Sequence, residues 1–128
     1  MTGCIGFPIM PRNISFALTT QQIRDRTKTV TRRKGWRFLK AGDVLNACVK
    51  CMGLRPGETI ERLGQIHVTN VRREPLRRMI DEINYGDEEA RKEGFPTIQG
   101  REFVWMFCDH MGGDADQVVT RIEFEYVD

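Results

Sequence analysis

Apolar and polar positions divide this chain into strands that alternate and short helices whose apolar residues recur every three or four positions. Ile14 to Leu18 alternates and predicts a first strand. Thr19-Thr20-Gln21-Gln22 opens a helix that ends near Arg26, with Thr19 and Gln22 at the spacing of a capping box. Val44 to Cys51 sets Leu45, Ala47, Val49 and Cys51 on one face of a strand. Ile60 to Val71 is a long strand whose phase slips between Leu63 and Ile66. Gly64 lies at the slip and predicts a bulge or bend. His67 is a half-exposed strand residue with no assigned chemistry.

The second half begins helical. Pro75 suits a first helical turn, and Leu76, Met79, Ile80 and Ile83 follow at helical spacing. Asn84-Tyr85-Gly86 predicts a stop, and Asp87 an N-cap for a helix over Glu88 to Glu93 that Gly94 ends. Phe95-Pro96 predicts a turn. Arg101 to Met111 predicts a further helix with Phe103, Met106, Phe107 and His110 on its core face, closed by Gly112-Gly113. Gln117 to Val127 predicts a last strand, Ile122, Phe124 and Tyr126 inward and Arg121, Glu123 and Glu125 outward. Several strands with glycine-marked turns and inserted helices make an α+β protein built on a small, nearly closed β-barrel.

One stretch fits neither pattern. Thr27 to Gly35 holds Lys28, Arg32, Arg33 and Lys34, with Val30 its one aliphatic side chain. It reads either as a solvated basic turn or as a short extended edge whose cations and hydroxyls face a ligand. Trp36 and Phe38 flank Arg37 just after it. They read as loop anchors on the core, with base stacking as the alternative.

Totals narrow the class. The 128 residues carry 40% hydrophobic and 30% charged side chains, enough for one core in one domain. The expected division is a leader over residues 1–13 and a domain over 14–128. No apolar run approaches the ~18 residues of a membrane helix, and the opening ten lack a signal peptide's basic start, so the expected setting is cytoplasmic, with no membrane partner. A net charge of +2 is too small to imply nucleic acid, but residues 24–40 hold eight Lys or Arg against Asp25 alone. That uneven distribution gives one basic face. Cys4, Cys48, Cys51 and Cys108 read as free thiols. Cys48-x-x-Cys51 with Cys108-x-His110 has some of the spacing of a zinc site. The alternation places Cys51 among core positions instead, so no metal and no cofactor is assigned.

The chemistry worth testing joins Lys28 and Thr31 to Glu93, at the end of the acidic helix. A desolvated amine can serve as base, a hydroxyl as nucleophile and a carboxylic acid as proton donor. Residues three apart on a regular strand face opposite sides, so Lys28 and Thr31 converge only if the strand is bulged or begins between them.

Lys28-Thr29-Val30-Thr31-Arg32-Arg33, then Lys40-Ala41-Gly42-Asp43-Val44-Leu45, Glu89-Ala90-Arg91-Lys92-Glu93-Gly94-Phe95 and Thr120-Arg121-Ile122-Glu123-Phe124, in that order, resemble the ASCH domain, a branch of the PUA-like barrels. Gly53-Leu54 and Met106-Phe107-Cys108 are similar to the longer form encoded by phages and prophages. The resemblance implies a cleft for RNA, a nucleotide or a modified nucleoside. One branch hydrolyses the acetyl amide of N4-acetylcytidine. By that likeness Lys28 is the proton acceptor, Thr31 the nucleophile and Glu93 the proton donor, with Arg33 in the same motif. Thr29, Arg32, Arg33, Lys34 and Arg37 are the expected ligand contacts, and a monomer or weak homodimer the expected state. The chain departs from the family at Arg26, where glycine is usual, and in a longer inter-strand loop and an added helix.

Overall fold

The computed structural model describes residues 11–128. Most of the expected leader, Met1 to Met10 with Cys4, lies outside them. Five strands form one mixed sheet: β1 Arg12–Ser15, β2 Val30–Arg33, β3 Val44–Cys48, β4 Arg62–Pro75 and β5 Val118–Val127. Their order is β1-β3-β4-β5-β2, with β1 parallel to β3 and every other pair antiparallel. The sheet curls into a half-barrel, the α+β architecture expected. Its two end strands are tied by a side chain, since Arg33 Nη2 donates to the Ser15 carbonyl at 2.6 Å.

Curling needs a break in the long strand, and β4 supplies two. Opposite β3, the register skips Leu63 between Gly64 and Arg62, at the predicted bulge, where Gly64 has φ +133°. Opposite β5, it skips Thr69, a second irregularity that the sequence did not signal. The concave face then gathers Ile14, Phe16, Leu45, Ile66, Ile122 and Phe124 into one core.

The other face is not solvent. Helices α1 Thr20–Arg24, α2 Arg78–Asp81, α3 Ile83–Lys92 and α4 Gly100–Met111 complete the fold, and the last three cover the back of β5. There Leu76, Met79, Phe103, Val104, Phe107 and Val119 form a second core. Arg121 is therefore buried, correcting its outward assignment. Its guanidinium binds both oxygens of Glu89 from α3.

The helix boundaries also differ. Pro75 ends β4 rather than starting a helix, and α2 is a single turn. Tyr85-Gly86 does not stop α3, because Gly86 serves close packing: a Cβ there would lie 1.9 Å from the Met79 carbonyl oxygen. Asp87 lies inside α3 and caps α4 instead, accepting the Gly100 N–H at 3.0 Å. The Thr19–Gln22 capping box is not formed. The Thr20 hydroxyl donates to the Phe16 carbonyl at 2.8 Å. The first strand begins at Arg12 and stops at Ser15, so Phe16 to Leu18 are free to shape a cavity mouth. Cys51 lies beyond β3 and is half-buried, whereas Cys48 is in the strand and buried.

Candidate functional site

The basic stretch is neither a solvated turn nor wholly a strand. Lys28 precedes β2 in a segment clamped on three sides. The Thr29 N–H donates to the Lys92 carbonyl at 2.8 Å, the Phe124 N–H to the Thr29 carbonyl at 3.0 Å, and the Tyr126 hydroxyl to the Lys28 carbonyl at 2.6 Å. Lys28 thus lies outside the strand's alternation, which is how it and Thr31 reach one hollow. Its ammonium meets the C-terminal end of α3, donating to the Glu93 carbonyl and to Glu93 Oε1, both at 2.8 Å. A cation at a helix C-terminus is favoured by the unpaired carbonyls there.

Lys28 is 3% exposed and Glu93 2%. Burial drives the Lys28 amine below its ordinary value, and the Glu93 charge only partly opposes this. Burial also lowers Arg33, to about 10, against the charges of Glu93 and Cys51. Arg33 remains a cation at neutral pH. Its Nε donates to Thr31 Oγ1 at 3.1 Å, leaving the Thr31 hydroxyl proton free to be given away.

These groups open on a hollow of about 350 Å³. Lys28, Thr31, Arg33 and Glu93 line one side. Phe16, Phe95, Phe103, Met106 and Phe107 line another, and Leu18, His110 and Met111 complete the wall. Polar groups converging on an apolar recess of this volume are the usual make-up of a small-molecule site.

The expected site residues divide. Lys28, Thr31, Arg33 and Glu93 come together. Arg32 also touches the hollow but is not a free phosphate contact. Its fully buried guanidinium donates to Glu93 at 3.1 Å, Glu74 at 3.0 Å and Glu89 at 2.6 Å. Three carboxylates consume it, so it is a hub of the interior; burial lowers its pKa but those charges raise it further. Its Nε is buried with no partner in the described residues. Thr29, Lys34 and Arg37 do not line the hollow, and Lys34 and Arg37 are exposed. Trp36 packs partly buried on the core, as expected, while Phe38 is 55% exposed beneath the Arg12 guanidinium at 4.2 Å.

The residues missed from sequence are the aromatic wall. Phe103, Met106 and Phe107 read as core because a helical apolar stripe looks the same facing packed side chains or a hollow. His110, on the same face of the helix, also lines the cavity. Among the described residues no group of three His, Cys, Asp or Glu is placed to hold a metal ion. No helix in them is long and apolar enough to cross a membrane.

No protein-family model matches the sequence, and no curated protein is significantly similar to it. The fold is shared with a solved structure, protein EF3133 from Enterococcus faecalis V583, assigned to family DUF984. The likeness has a TM-score of 0.64 at 18% identity and covers 95% of this chain and 83% of that one. It establishes a common fold class of curled sheet and flanking helices.

Proposed function

We propose that the protein is an ASCH-type member of the PUA-like barrels that binds a nucleobase-bearing ligand, with RNA, a nucleotide or a modified nucleoside as the ligand class. One observation carries this: Lys28, Thr31, Arg33 and Glu93 converge on an aromatic-walled hollow of about 350 Å³. Phe103 and Phe107 line it, and stacking on aromatic side chains contributes ~1–3 kcal/mol per base. The polar side offers donors from Arg33 and Lys28 and acceptors from Thr31 and Glu93, the mixture a base edge requires. Isothermal titration with a panel of ribonucleosides, nucleotides and short RNAs tests it. Saturable binding abolished by a Phe107→Ala change that preserves the fold is the expected result. Absence of binding across the panel would overturn it.

A second proposal is hydrolysis of an acylated base, and the direct Lys28–Glu93 contact beside Thr31 favours it. A site that only binds has no need of a carboxylate buried against its lysine beside a threonine hydroxyl. In the proposed step the proton shared by the Lys28–Glu93 pair passes to Glu93, and the Lys28 amine so freed takes the hydroxyl proton as Thr31 Oγ bonds to the acyl carbon. The C–N bond then breaks, the amine departing with a proton from Glu93 or Lys28. Water cleaves the Thr31 ester, so that amide and water become carboxylic acid and amine. Arg33 Nε, already on Thr31 Oγ1, would steady the oxygen as it loses its proton. Release of cytidine from N4-acetylcytidine, lost in Thr31→Val, is expected; no release by wild type counts against this chemistry.

A further inference from the structure

The charges around the hollow do not all cancel. Lys28 is neutralised by Glu93, and Arg32 by Glu74, Glu89 and Glu93. Arg33 lines the cavity without an ion-pair partner among the described residues; its Nε and one Nη2 proton are used on Thr31 and Ser15, and Nη1 is uncommitted. Lys34, the next residue, also has no ion-pair or hydrogen-bond partner there, and it is exposed. Its ammonium sits against the far end of α4, 3.9 Å from where a Cβ on Gly112 would be. Gly112 directly follows Met111 and lies two residues beyond His110, both of which line the cavity. Among the described residues Glu93 is the one acid lining the cavity, and it is already paired. An apolar recess lined by one unpaired guanidinium, with a second unpaired cation beside Gly112 next to its His110–Met111 wall, suits a ligand with a flat uncharged body and an anionic end.

We infer that the end of the hollow at Arg33 and His110, with Lys34 beside it, is a phosphate subsite, so the ligand is a nucleoside phosphomonoester with its base in the aromatic hollow and its phosphate at that end. This rests on the nucleobase proposal above and narrows it. Arg33 supplies a planar donor from Nη1, Lys34 a point charge and His110 a ring nitrogen donor. The phosphomonoester can belong to a free nucleotide or to the 5′ end of an RNA strand, which share this chemistry.

Calorimetric titration of the full chain with the four ribonucleosides, their 5′-monophosphates, ribose 5-phosphate and a 5′-phosphorylated trinucleotide tests the inference. The best monophosphate should bind about tenfold or more tighter than its nucleoside, as a charge-assisted contact at a partly dry site provides. Raising salt should erode that preference. Lys34→Ala should reduce it to about threefold or less while moving nucleoside affinity less than twofold. The charge-reversed Lys34→Glu should abolish it; both variants alter an exposed side chain and leave the core intact. Equal affinity for nucleoside and monophosphate would overturn the phosphate subsite and leave the base site standing. Binding of ribose 5-phosphate as tight as that of any nucleotide would overturn the base site and leave the phosphate subsite. A trinucleotide binding more tightly than the free monophosphate would assign the strand end as the source, and the reverse the free nucleotide.

Discussion

Lys28 reaches Glu93 twice, its ammonium donating to the side-chain carboxylate and to the main-chain carbonyl of the same residue, each at 2.8 Å. The contact joins the start of β2 to the end of α3 and fixes one wall of the hollow. Both side chains are buried, so losing one partner strands the other. Lys28→Met and Glu93→Gln should each cost about 3 kcal/mol of stability, and the double variant clearly less than their sum. Urea denaturation of the four proteins measures the coupling, and strict additivity would show that the pair is not a unit. Activity tests on Lys28 and Glu93 must therefore be read against folding. Thr31, whose hydroxyl holds no interior ion pair, is the cleaner probe.

The interior network predicts acid lability. Burial alone would raise the Glu89 carboxyl, but the Arg121 hydrogen bonds and the Arg32 charge outweigh it and hold it at about 2. A carboxyl depressed in the folded state contributes stability that is present above its unfolded value and lost as pH falls through its folded value. The window here runs from about pH 4.5 down to about 2, and Glu89 alone contributes about 3 kcal/mol across it. Denaturant titrations at successive pH values should show that fall. Glu89→Gln should be less stable at neutral pH yet show a flatter acid limb; an unchanged slope would contradict the assignment.

Gly86 and Gly100 let α2, α3 and α4 approach. A Cβ on Gly100 would lie 2.4 Å from the Met79 carbonyl oxygen and 2.6 Å from Gly86 Cα, and both obstacles are backbone. Gly86→Ala should cost at least about 3 kcal/mol although alanine is the better helix former. Thermal melts decide, and an unchanged or raised midpoint would refute the close approach.

Arg26 has φ +59°, the left-handed conformation that glycine adopts without cost. Its side chain offsets some of that strain through an exposed pair with Asp128 at 2.6 Å. Arg26→Gly should stay within about 1 kcal/mol of wild type, whereas Arg26→Val should lose about 1–2 kcal/mol, since a β-branched side chain fits that region worst. Comparing the two by denaturation separates backbone strain from loss of charge, which they share.

The strands were legible where alternation had one meaning. Ile122 and Phe124 pointed to the concave core, and Gly64 marked the bulge that bends β4. Arg121 and Arg32 were not, because a charged residue reads as exposed unless its partner is known, and Glu89 lies 32 and 57 residues from them in sequence. Helix α3 was misread at one point for a similar reason. Gly86 resembles a stop signal, and only the Met79 backbone beside it reveals a packing role. Lys28, Thr31, Arg33 and Glu93 stood out in the sequence as a candidate group, and they line one hollow. The aromatic half was hidden, since nothing in Phe103, Met106 and Phe107 says whether the space before them is filled. Arg26 is instructive in another way: it holds a backbone angle natural to glycine while carrying a long side chain.

The most direct trial of the whole account is an amide NMR titration of the intact chain with ribonucleosides and their 5′-monophosphates. Saturable shifts should concentrate at Thr31 and Arg33 of β2, around Gly94 and Phe95, and along the Phe103–Phe107 turn of α4, with Lys34 and His110 joining only for the phosphorylated ligands. Saturable shifts confined to another face, or no shifts with any of these ligands, would contradict it.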